Sequence, residues 1–313
     1  MPPTEPIVDS LGRPFLNFRI SVTQRCNLEC PYCHREGQPQ SKDEMTPVDI
    51  ARIARIAAEL GARRLKLTGG EPLLREDIEE VLGLLNEAYA IEEISMVTNG
   101  TLLTPQLAKN LKRNGLARIN VNIPSVDAGT YEGLTGGRLQ DAVEGVKAAI
   151  LAGLFPVKVN MLVLRGVNDG QIDSMLHFCR GVGARLQLIE LEPLNVNGEY
   201  YARHHKPLDQ IEEQLSGKAH KVEVRHSMHG RKVYYLDDVE VEVVRPVENT
   251  EFCLRCSRMR LTSDGRLKSC LMRCDDLVDL LGAIRSGATD QEVGDLISST
   301  AKRRRPFYDA KPS

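Results

Sequence analysis

The sequence predicts an α/β protein built on an open, partial (β/α)6 barrel of the TIM type, followed by a smaller α+β lobe. Between residues 17 and 191, six short runs of β-forming residues alternate with helical segments. Strands that alternate with helices form parallel sheets with right-handed crossovers. The alternation stops after the sixth unit. Because a closed barrel of this kind needs eight units, we expect a barrel with an open side.

The first unit carries clear strand and helix signals. Residues 17–23 alternate around β-forming residues and lead directly into a group of cysteines. Thr46 and Pro47, followed by Asp49, predict a helix start, because a hydroxyl N-cap, a proline at the first helical position and an acid in the first turn all favour one. Apolar residues then recur at helical spacing as far as Gly61, which ends the helix.

The next five units repeat this pattern. Each has a short β run that ends in turn residues and is followed by a helical segment. The expected strands are 64–68, 93–97, 118–123, 157–164 and 185–191. The expected helices pass through 78–85, start at Thr104-Pro105, cover about 140–152 and end near Gly181.

A change of pattern marks the second lobe. The segment 198–216 indicates a linker with a short helix, and short strands with turns follow at 221–224, 232–236 and 239–244. We therefore assign residues 1–217 to the partial barrel and residues 218–313 to the smaller lobe. The basic run 302–305 is expected to lie near a frayed terminus.

Composition excludes several function classes. A formal net charge of -2, with 42% hydrophobic and 27% charged residues, gives no reason to expect a nucleic-acid or membrane partner. The first six residues lack the charged and apolar regions of a signal peptide, and no apolar run approaches the ~18 residues of a membrane span. We therefore expect a cytoplasmic protein.

The eight cysteines carry the strongest functional signal. In a reducing compartment their clustering favours metal or redox chemistry over disulfides. Cys26, Cys30 and Cys33 have the spacing C-x₃-C-x₂-C, with Tyr32 before the last thiol. Three thiolates leave one metal position open to a ligand that is not protein. Cys179 lies among apolar residues of an expected helix and is predicted to be a buried thiol.

These three cysteines, with Gly69-Gly70-Glu71-Pro72 after the second strand, resemble the signature of the radical SAM superfamily. The resemblance implies a [4Fe–4S] cluster on the three thiolates, whose open iron binds S-adenosylmethionine (SAM) and produces a 5′-deoxyadenosyl radical. The Glu71 carboxylate would complement the methionine ammonium of SAM. The implied SAM-binding residues are Tyr32, Gly69, Gly70, Glu71, Thr98, Asn99 and Asn122.

A second set of cysteines leaves two interpretations open. Together with Cys274, the residues Cys253, Cys256 and Cys270 would suit a structural zinc site. The run 256–271 also resembles the C-terminal cluster segment of the MoaA family of GTP 3′,8-cyclases, and this resemblance covers nearly the whole chain. It implies a second [4Fe–4S] cluster on Cys253, Cys256 and Cys270 that meets the guanine base, with Cys274 spare.

Basic residues on the expected inward faces of the strands suit a triphosphate substrate. Arg64 lies two residues before Lys66 and shares its face by strand periodicity. The resemblance implies catalytic roles for Arg258 and Arg260. With these two, the candidate substrate contacts are Arg19, Arg64, Lys66, Lys158, Asn249, Arg258 and Arg260. The chain departs from the family at Gln187, where many relatives carry arginine, and lacks a terminal Gly-Gly tail.

The sequence therefore favours a lyase that converts GTP to (8S)-3′,8-cyclo-7,8-dihydroguanosine 5′-triphosphate in molybdenum or tungsten cofactor biosynthesis. In the family, the 5′-deoxyadenosyl radical abstracts the ribose C3′ hydrogen. Expected partners are GTP, a reducing electron donor of the flavodoxin or ferredoxin type and a downstream pterin-forming enzyme, with a homodimer compatible with the sequence. Two alternatives stay open: a related two-cluster radical SAM enzyme acting on a peptide or another nucleotide, and a zinc-binding scaffold or regulatory protein.

Overall fold

Six strands alternate with helices through the first part of the chain. The computed structural model describes residues 5–41, 44–88 and 90–308. The strands of this part are β1 (Asn17–Ser21), β2 (Arg64–Thr68), β3 (Glu93–Thr98), β4 (Leu116–Asn122), β5 (Lys158–Val163) and β6 (Arg185–Glu190). The helices are α1 (Pro47–Glu59), α2 (Ile78–Asn86), α3 (Pro105–Arg113), α4 (Ala128–Thr135), α5 (Leu139–Leu151) and α6 (Ile172–Val182).

Shorter elements make up the rest of the described chain. Its helices are α7 (Gly198–His204), α8 (Asp209–Lys218), α9 (Thr250–Leu254), α10 (Leu280–Arg285) and α11 (Asp290–Lys302). The strands are β7 (Lys221–Arg225), β8 (Arg231–Leu236), β9 (Val239–Val244), β10 (Arg258–Leu261), β11 (Arg266–Lys268) and β12 (Val278–Asp279).

The predicted helix starts are confirmed by their caps. The Thr46 hydroxyl accepts a hydrogen bond from the backbone N–H of Asp49 at 3.2 Å, and the Asp49 carboxylate accepts one from the backbone N–H of Thr46 at 3.0 Å. At α3, the Thr104 hydroxyl accepts from the backbone N–H of Leu107 at 3.2 Å. Each cap satisfies a backbone donor that the helix itself leaves open.

Two differences from the sequence prediction concern short helices. The prediction missed α4, whose eight residues include Gly129 and Gly133 and carry little amphipathic pattern. Its start is fixed by Asp127, whose carboxylate accepts from the backbone N–H of Thr130 at 2.8 Å. The segment predicted as a linker with one short helix contains both α7 and α8.

One sheet runs through both predicted parts of the chain. Within the described residues its strand order is β12-β11-β10-β1-β2-β3-β4-β5-β6-β9-β8-β7. Strand β10 pairs in parallel with β1, and β9 pairs in parallel with β6, so both edges of the barrel sheet continue into strands of the smaller lobe. The domain boundary at 217/218 stays a prediction, and the sheet crosses it on both sides.

The two faces of the barrel strands differ in chemistry. Phe18, Ile20, Leu65 and Leu67 are fully buried in the apolar core, while the alternate residues of the same strands are polar. In register, Arg19 lies beside Lys66 on one side and beside Arg260 on the other. Since alternate residues of a strand point to opposite faces, the apolar face packs in the core and the charged face lines the inside of the barrel.

Three further predictions can be compared with the fold. Cys179 is fully buried, as predicted. In the basic run that was predicted to lie near a frayed terminus, Arg304 is 3% exposed and forms an ion pair with Asp9 at 3.4 Å; the residues from 309 on lie outside the described part of the chain. The Arg304 guanidinium also donates to the backbone oxygen of Arg13. No helix in the described residues is long and apolar enough to cross a membrane.

A buried cluster of charges joins β5 to the edge strands of the smaller lobe. The Glu242 carboxylate accepts a hydrogen bond from the Lys158 ammonium and lies 3.0 Å from Arg231 and 3.5 Å from Arg225. Lys158 and Glu242 are each at most 5% exposed. Burial raises the pKa of Glu242, but Lys158, Arg231 and Arg225 outweigh it and hold the pKa below its usual value of 4.5.

We predict that Glu242→Gln lowers the free energy of unfolding at pH 7 by about 3–5 kcal/mol, because three cations lose their buried counter-charge. The folded-state pKa of Glu242 lies below the unfolded value, so its contribution is present above about pH 4.5 and is lost as the pH falls further. Urea unfolding at pH 7 and pH 3 should therefore give a smaller difference in stability between the two proteins at the lower pH.

Glu240→Gln is the matched control for this prediction. Glu240 pairs with the partly exposed Arg185 at 2.9 Å, and an exposed pair contributes about 0–1 kcal/mol. Equal losses for the two variants at pH 7 would contradict the importance assigned to the buried cluster.

Candidate functional site

A cavity of about 360 Å³ brings together most of the residues predicted to carry chemistry. It is lined by inward side chains of the barrel strands, by the loops after β1 and β2, by β10 and by the end of the described chain. The predicted site residues that line it are Arg19, Cys26, Cys30, Tyr32, Cys33, Arg64, Lys66, Gly69, Gly70, Glu71, Asn99, Asn122, Cys253, Cys256, Arg258, Arg260 and Cys270. Both cysteine sets therefore face one space.

The first cysteine set lies on the loop that follows β1. Cys26, Cys30 and Cys33 are free thiols on the cavity wall. Burial raises the pKa of Cys30 to about 11, and the neighbouring thiols add to the effect. Burial also raises the pKa values of Cys26 and Cys33. A thiolate at these positions would be stabilised only by a nearby positive charge, and the iron atoms of an iron–sulfur cluster would supply that charge. The set therefore fits a cluster with three protein ligands.

Gly69 and Gly70 pack beneath this cysteine loop. The backbone N–H of Gly70 donates to the Thr23 oxygen at 2.8 Å, and that of Glu71 donates to the Arg25 oxygen at 2.7 Å. A Cβ atom at Gly70 would collide with the Arg25 carbonyl, and one at Gly69 with the Thr23 carbonyl. The close approach that requires glycine here is thus between two loops of the protein.

Glu71 is anchored so that its buried carboxylate borders the cavity. It accepts hydrogen bonds from the Thr98 hydroxyl at 2.6 Å, from the backbone N–H of Asn99 at 2.7 Å and from that of Leu73 at 3.0 Å. Burial raises its pKa, and these bonds oppose the rise. Thr98 does not line the cavity, because its hydroxyl is turned to Glu71. A fixed carboxylate beside three thiols fits the ammonium of a bound amino acid.

Asn99 and Asn122, both predicted to contact SAM, border the cavity. Asn99 donates from its side-chain amide to Asn27 at 2.9 Å, which ties the end of β3 to the cysteine loop. The Asn122 side-chain oxygen accepts from the Asn160 amide at 2.9 Å.

The second cysteine set lies around β10. Cys253 is in α9, Cys256 precedes β10 and Cys270 follows β11. Burial raises the pKa of Cys270. Cys274 is exposed and does not line the cavity; its thiol lies 3.3 Å from the Gly37 oxygen. The three cavity-facing cysteines thus form a set like the first, which fits a second cluster with one open iron position.

Lys66 and Arg258 are partly buried cations that have no carboxylate partner in the described part of the chain. Burial, with Arg118, Arg19 and Lys158 nearby, holds the pKa of Lys66 well below its usual value. Burial and neighbouring arginines do the same for Arg258. Desolvated cations without counter-charges are unfavourable, so the cavity is electrostatically suited to an anionic ligand.

Among the lining residues that the sequence did not predict, Glu36 and His229 contact predicted arginines. Glu36 lies 2.5 Å from Arg260 and 3.4 Å from Arg19. His229 lies 3.0 Å from the Arg258 guanidinium and stacks on Phe252 with a centroid distance of 4.2 Å. Glu36 lies in a short 3-10 helix and His229 in a turn, and neither segment carries a sequence motif that indicates a binding site. The one available signal is that Glu36 stands three residues after Cys33.

Two predicted substrate contacts do not line the cavity. Lys158 points inward, but its ammonium is bound to Glu242 in the buried cluster. Asn249 caps α9 instead: its side-chain oxygen accepts from the backbone N–H of Phe252 at 3.0 Å, and its amide donates to the Arg245 oxygen at 2.9 Å. The Lys158 ammonium is thus paired with a carboxylate of another strand, and the Asn249 side chain is hydrogen-bonded to nearby backbone groups.

The end of the described chain also borders the cavity. The lining includes Phe307 and Tyr308. Arg273 donates to the Pro306 oxygen at 3.0 Å and lies 5.6 Å from the centre of the Phe307 ring. No local pattern in the sequence predicts that this segment returns to the site.

Family comparisons match two successive parts of the chain. Residues 20–179 match the Radical SAM superfamily, and residues 184–310 match the family described as Molybdenum Cofactor Synthesis C. Together these matches cover nearly all of the described chain.

Several curated relatives are similar over almost their full length and carry the name "Probable GTP 3',8-cyclase". The protein from Pyrococcus horikoshii is 44% identical, over 98% of this chain and 100% of the relative. The proteins from Methanothermobacter marburgensis and Methanosarcina acetivorans are also 44% identical, over 96% of this chain and 99% and 90% of the relatives.

Solved structures with the same fold include Streptococcus suis SuiB. It is 16% identical, with a TM-score of 0.65, and the match covers 95% of this chain and 68% of SuiB. SuiB bound to S-adenosylmethionine gives a TM-score of 0.65 at 17% identity, over 92% and 66% of the two chains. At these identities the likeness shows the fold alone. It confirms the predicted partial barrel of the radical SAM type.

We predict that Gly70→Ala lowers the iron and sulfide content of the anaerobically purified protein at least severalfold. The added methyl group would meet the Arg25 carbonyl and displace the loop that carries the first cysteine set. Gly133→Ala in α4 is the control, because a Cβ there meets no atom within 4 Å and alanine favours a helix. Equal iron content in the two variants would show that the loop tolerates the displacement.

Proposed function

Because this chain belongs to the radical SAM GTP 3′,8-cyclase family, we propose that it converts GTP to (8S)-3′,8-cyclo-7,8-dihydroguanosine 5′-triphosphate in molybdenum or tungsten cofactor biosynthesis. The observation that carries the proposal is the presence of two three-cysteine sets and of partly buried cations without a carboxylate partner in the described residues around one cavity. A triphosphate is the part of the substrate that such cations recognise.

The cofactors of the family are two [4Fe–4S] clusters and SAM. In our proposal Cys26, Cys30 and Cys33 hold the first cluster, and Cys253, Cys256 and Cys270 hold the second. When bound, SAM and the first cluster supply a 5′-deoxyadenosyl radical that abstracts the ribose C3′ hydrogen of GTP. The protein positions the reactants and excludes water from them.

Glu71 is the residue that we assign to the ammonium of SAM. Its three hydrogen bonds, from Thr98, Asn99 and Leu73, fix the carboxylate before any ligand arrives. A fixed acceptor needs little reorganisation on binding, so its interaction with a cation is stronger than that of a mobile side chain. Thr98 acts on SAM through Glu71 in this assignment.

Four of the predicted substrate contacts that line the cavity lie on two strands. Arg64 and Lys66 project from β2, and Lys66 has no carboxylate partner within the described ranges. We assign these two residues to the triphosphate. Arg258 and Arg260 project from β10, between the second cysteine set and β1. We assign them to the nucleotide near the second cluster, where they would stabilise negative charge that develops during cyclisation.

The reaction also requires electrons and a consumer of its product. We propose a low-potential donor of the flavodoxin or ferredoxin type and a downstream enzyme that forms the pterin. All eight cysteines are free thiols, which supports the reducing environment of the cytoplasm as the place of action.

The substrate is tested by supplying SAM, a strong reductant and one nucleoside triphosphate at a time under anaerobic conditions. We expect GTP to increase the formation of 5′-deoxyadenosine and to yield the cyclised nucleotide, while ATP, CTP and UTP do neither. Formation of 5′-deoxyadenosine that is independent of GTP would contradict the cyclase proposal and favour another substrate for a two-cluster radical SAM enzyme.

Lys66→Met and Lys158→Met form a matched pair that tests the assignment of the phosphate site. Lys66 faces the cavity without a counter-charge, so its loss should raise KM for GTP by about 10- to 100-fold. Lys158 already binds Glu242, so its loss should change KM by less than about threefold and act mainly on stability.

Steady-state kinetics at equal cluster loading measure both effects. A similar rise of KM in the two variants would mean that the ammonium of Lys158 leaves Glu242 to bind the triphosphate.

A further inference from the structure

The segment from His34 to Gln38, directly after the first cysteine set, has an unusual backbone. Arg35, Glu36 and Gly37 adopt successive φ angles of +47°, +53° and +58°. Side-chain-bearing residues other than asparagine and aspartate rarely adopt this left-handed region, because Cβ approaches the backbone carbonyl. The chain therefore holds Glu36 in a conformation that its own preferences do not favour.

This conformation directs Glu36 between two arginines of the cavity. Its carboxylate lies 2.5 Å from the Arg260 guanidinium and 3.4 Å from the Nε atom of Arg19. Glu36 is 8% exposed and lines the cavity. Arg19 and Arg260 are direct neighbours in the pairing of β1 with β10. The two guanidiniums would repel each other without a carboxylate between them.

The position of Glu36 is fixed by contacts other than its own ion pairs. The Gln38 side-chain oxygen accepts from the backbone N–H of Ser263 at 3.0 Å, and its amide donates to the Ser21 hydroxyl at 2.9 Å. The fully buried Lys268 donates to the Gly37 oxygen and, at 3.1 Å, to the Leu271 oxygen next to Cys270. The segment is thus attached to the loops of both cysteine sets.

Arg19 retains an unused donor in this arrangement. Its Nε atom is buried and makes no hydrogen bond, although Glu36 lies 3.4 Å away. Arg260 by contrast is hydrogen-bonded to Glu36. The carboxylate therefore holds one guanidinium by a hydrogen bond and the other by an ion pair alone.

We propose that Glu36 is a positioning residue of the cyclisation reaction, which rests on the proposed function. It holds Arg260 and Arg19 in the orientation in which they contact the nucleotide. Its negative charge also offsets the repulsion between the two guanidiniums. This role differs from a contribution to the affinity for GTP. Removal of the Glu36 charge makes the cavity more positive, which favours GTP binding, but it also releases the two guanidiniums from their fixed orientation.

The test compares Glu36→Gln and Glu36→Asp with the wild type. Glutamine keeps the size of the side chain and removes its charge, while aspartate keeps the charge on a shorter side chain. Glu59→Gln is the control, because it removes a carboxylate from an exposed ion pair with Arg55 on α1. Iron content, the Kd for GTP of the cluster-loaded protein without SAM, kcat and the ratio of 5′-deoxyadenosine to cyclised product are measured for each.

For Glu36→Gln we expect kcat to fall by about 10- to 100-fold, because a small displacement of groups that hold the substrate has effects of this size. The Kd for GTP should stay within about threefold of the wild type or become lower, since the cavity has gained positive charge. More 5′-deoxyadenosine should form per cyclised product. Aspartate should restore part of kcat, and Glu59→Gln should match the wild type.

Two results would overturn the inference. If Glu36→Gln binds all its iron and keeps the kcat and product ratio of the wild type, Glu36 does not position the arginines. If it loses iron, and activity falls only in proportion, Glu36 is a structural brace of the cysteine loop. Failure of the proposed function would be distinguishable, because the wild type itself would then show no dependence on GTP.

Discussion

Repulsion among positive charges inside the barrel is the constraint on which the rest of this structure depends. The inward faces of β10, β1, β2 and β5 bring several lysines and arginines within a short distance of each other. Two buried carboxylates reduce this repulsion by forming ion pairs with the cations. Glu242 neutralises the cations near β5, and Glu36 separates those of β1 and β10. The positive charge left over, at Lys66 and Arg258, makes the cavity suited to an anionic ligand.

The strands after residue 217 extend the barrel sheet at both of its edges, besides carrying the second cysteine set. Strand β10 continues the parallel sheet beside β1, so Arg260 and Arg19 become neighbours through backbone pairing. Strand β9 does the same beside β6 and brings Glu242 to Lys158. The distribution of charge in the cavity is therefore a consequence of how the sheet edges are paired.

Local signals in the sequence predicted most helices and strands, but such signals cannot predict contacts between residues far apart in the chain. Thr46 and Thr104 mark helix starts because the capping partner lies three residues away. Cys26, Cys30 and Cys33 predict a cluster site because the three thiols are close in the chain. The pairing of Lys158 with Glu242, by contrast, joins strands that periodicity cannot align. Glu36 and Arg304 were missed for the same reason, since their partners lie more than two hundred residues away.

The pairing of β1 with β10 also has a consequence for biosynthesis. The Asn17 side chain donates to the Ser257 hydroxyl, 240 residues later in the chain, at 2.7 Å. A chain emerging from the ribosome presents its first three thiols long before the opposite wall of the cavity exists, because folding of the early units can precede completion of the sheet. The two walls of the cavity therefore come together only when the last strands have been made.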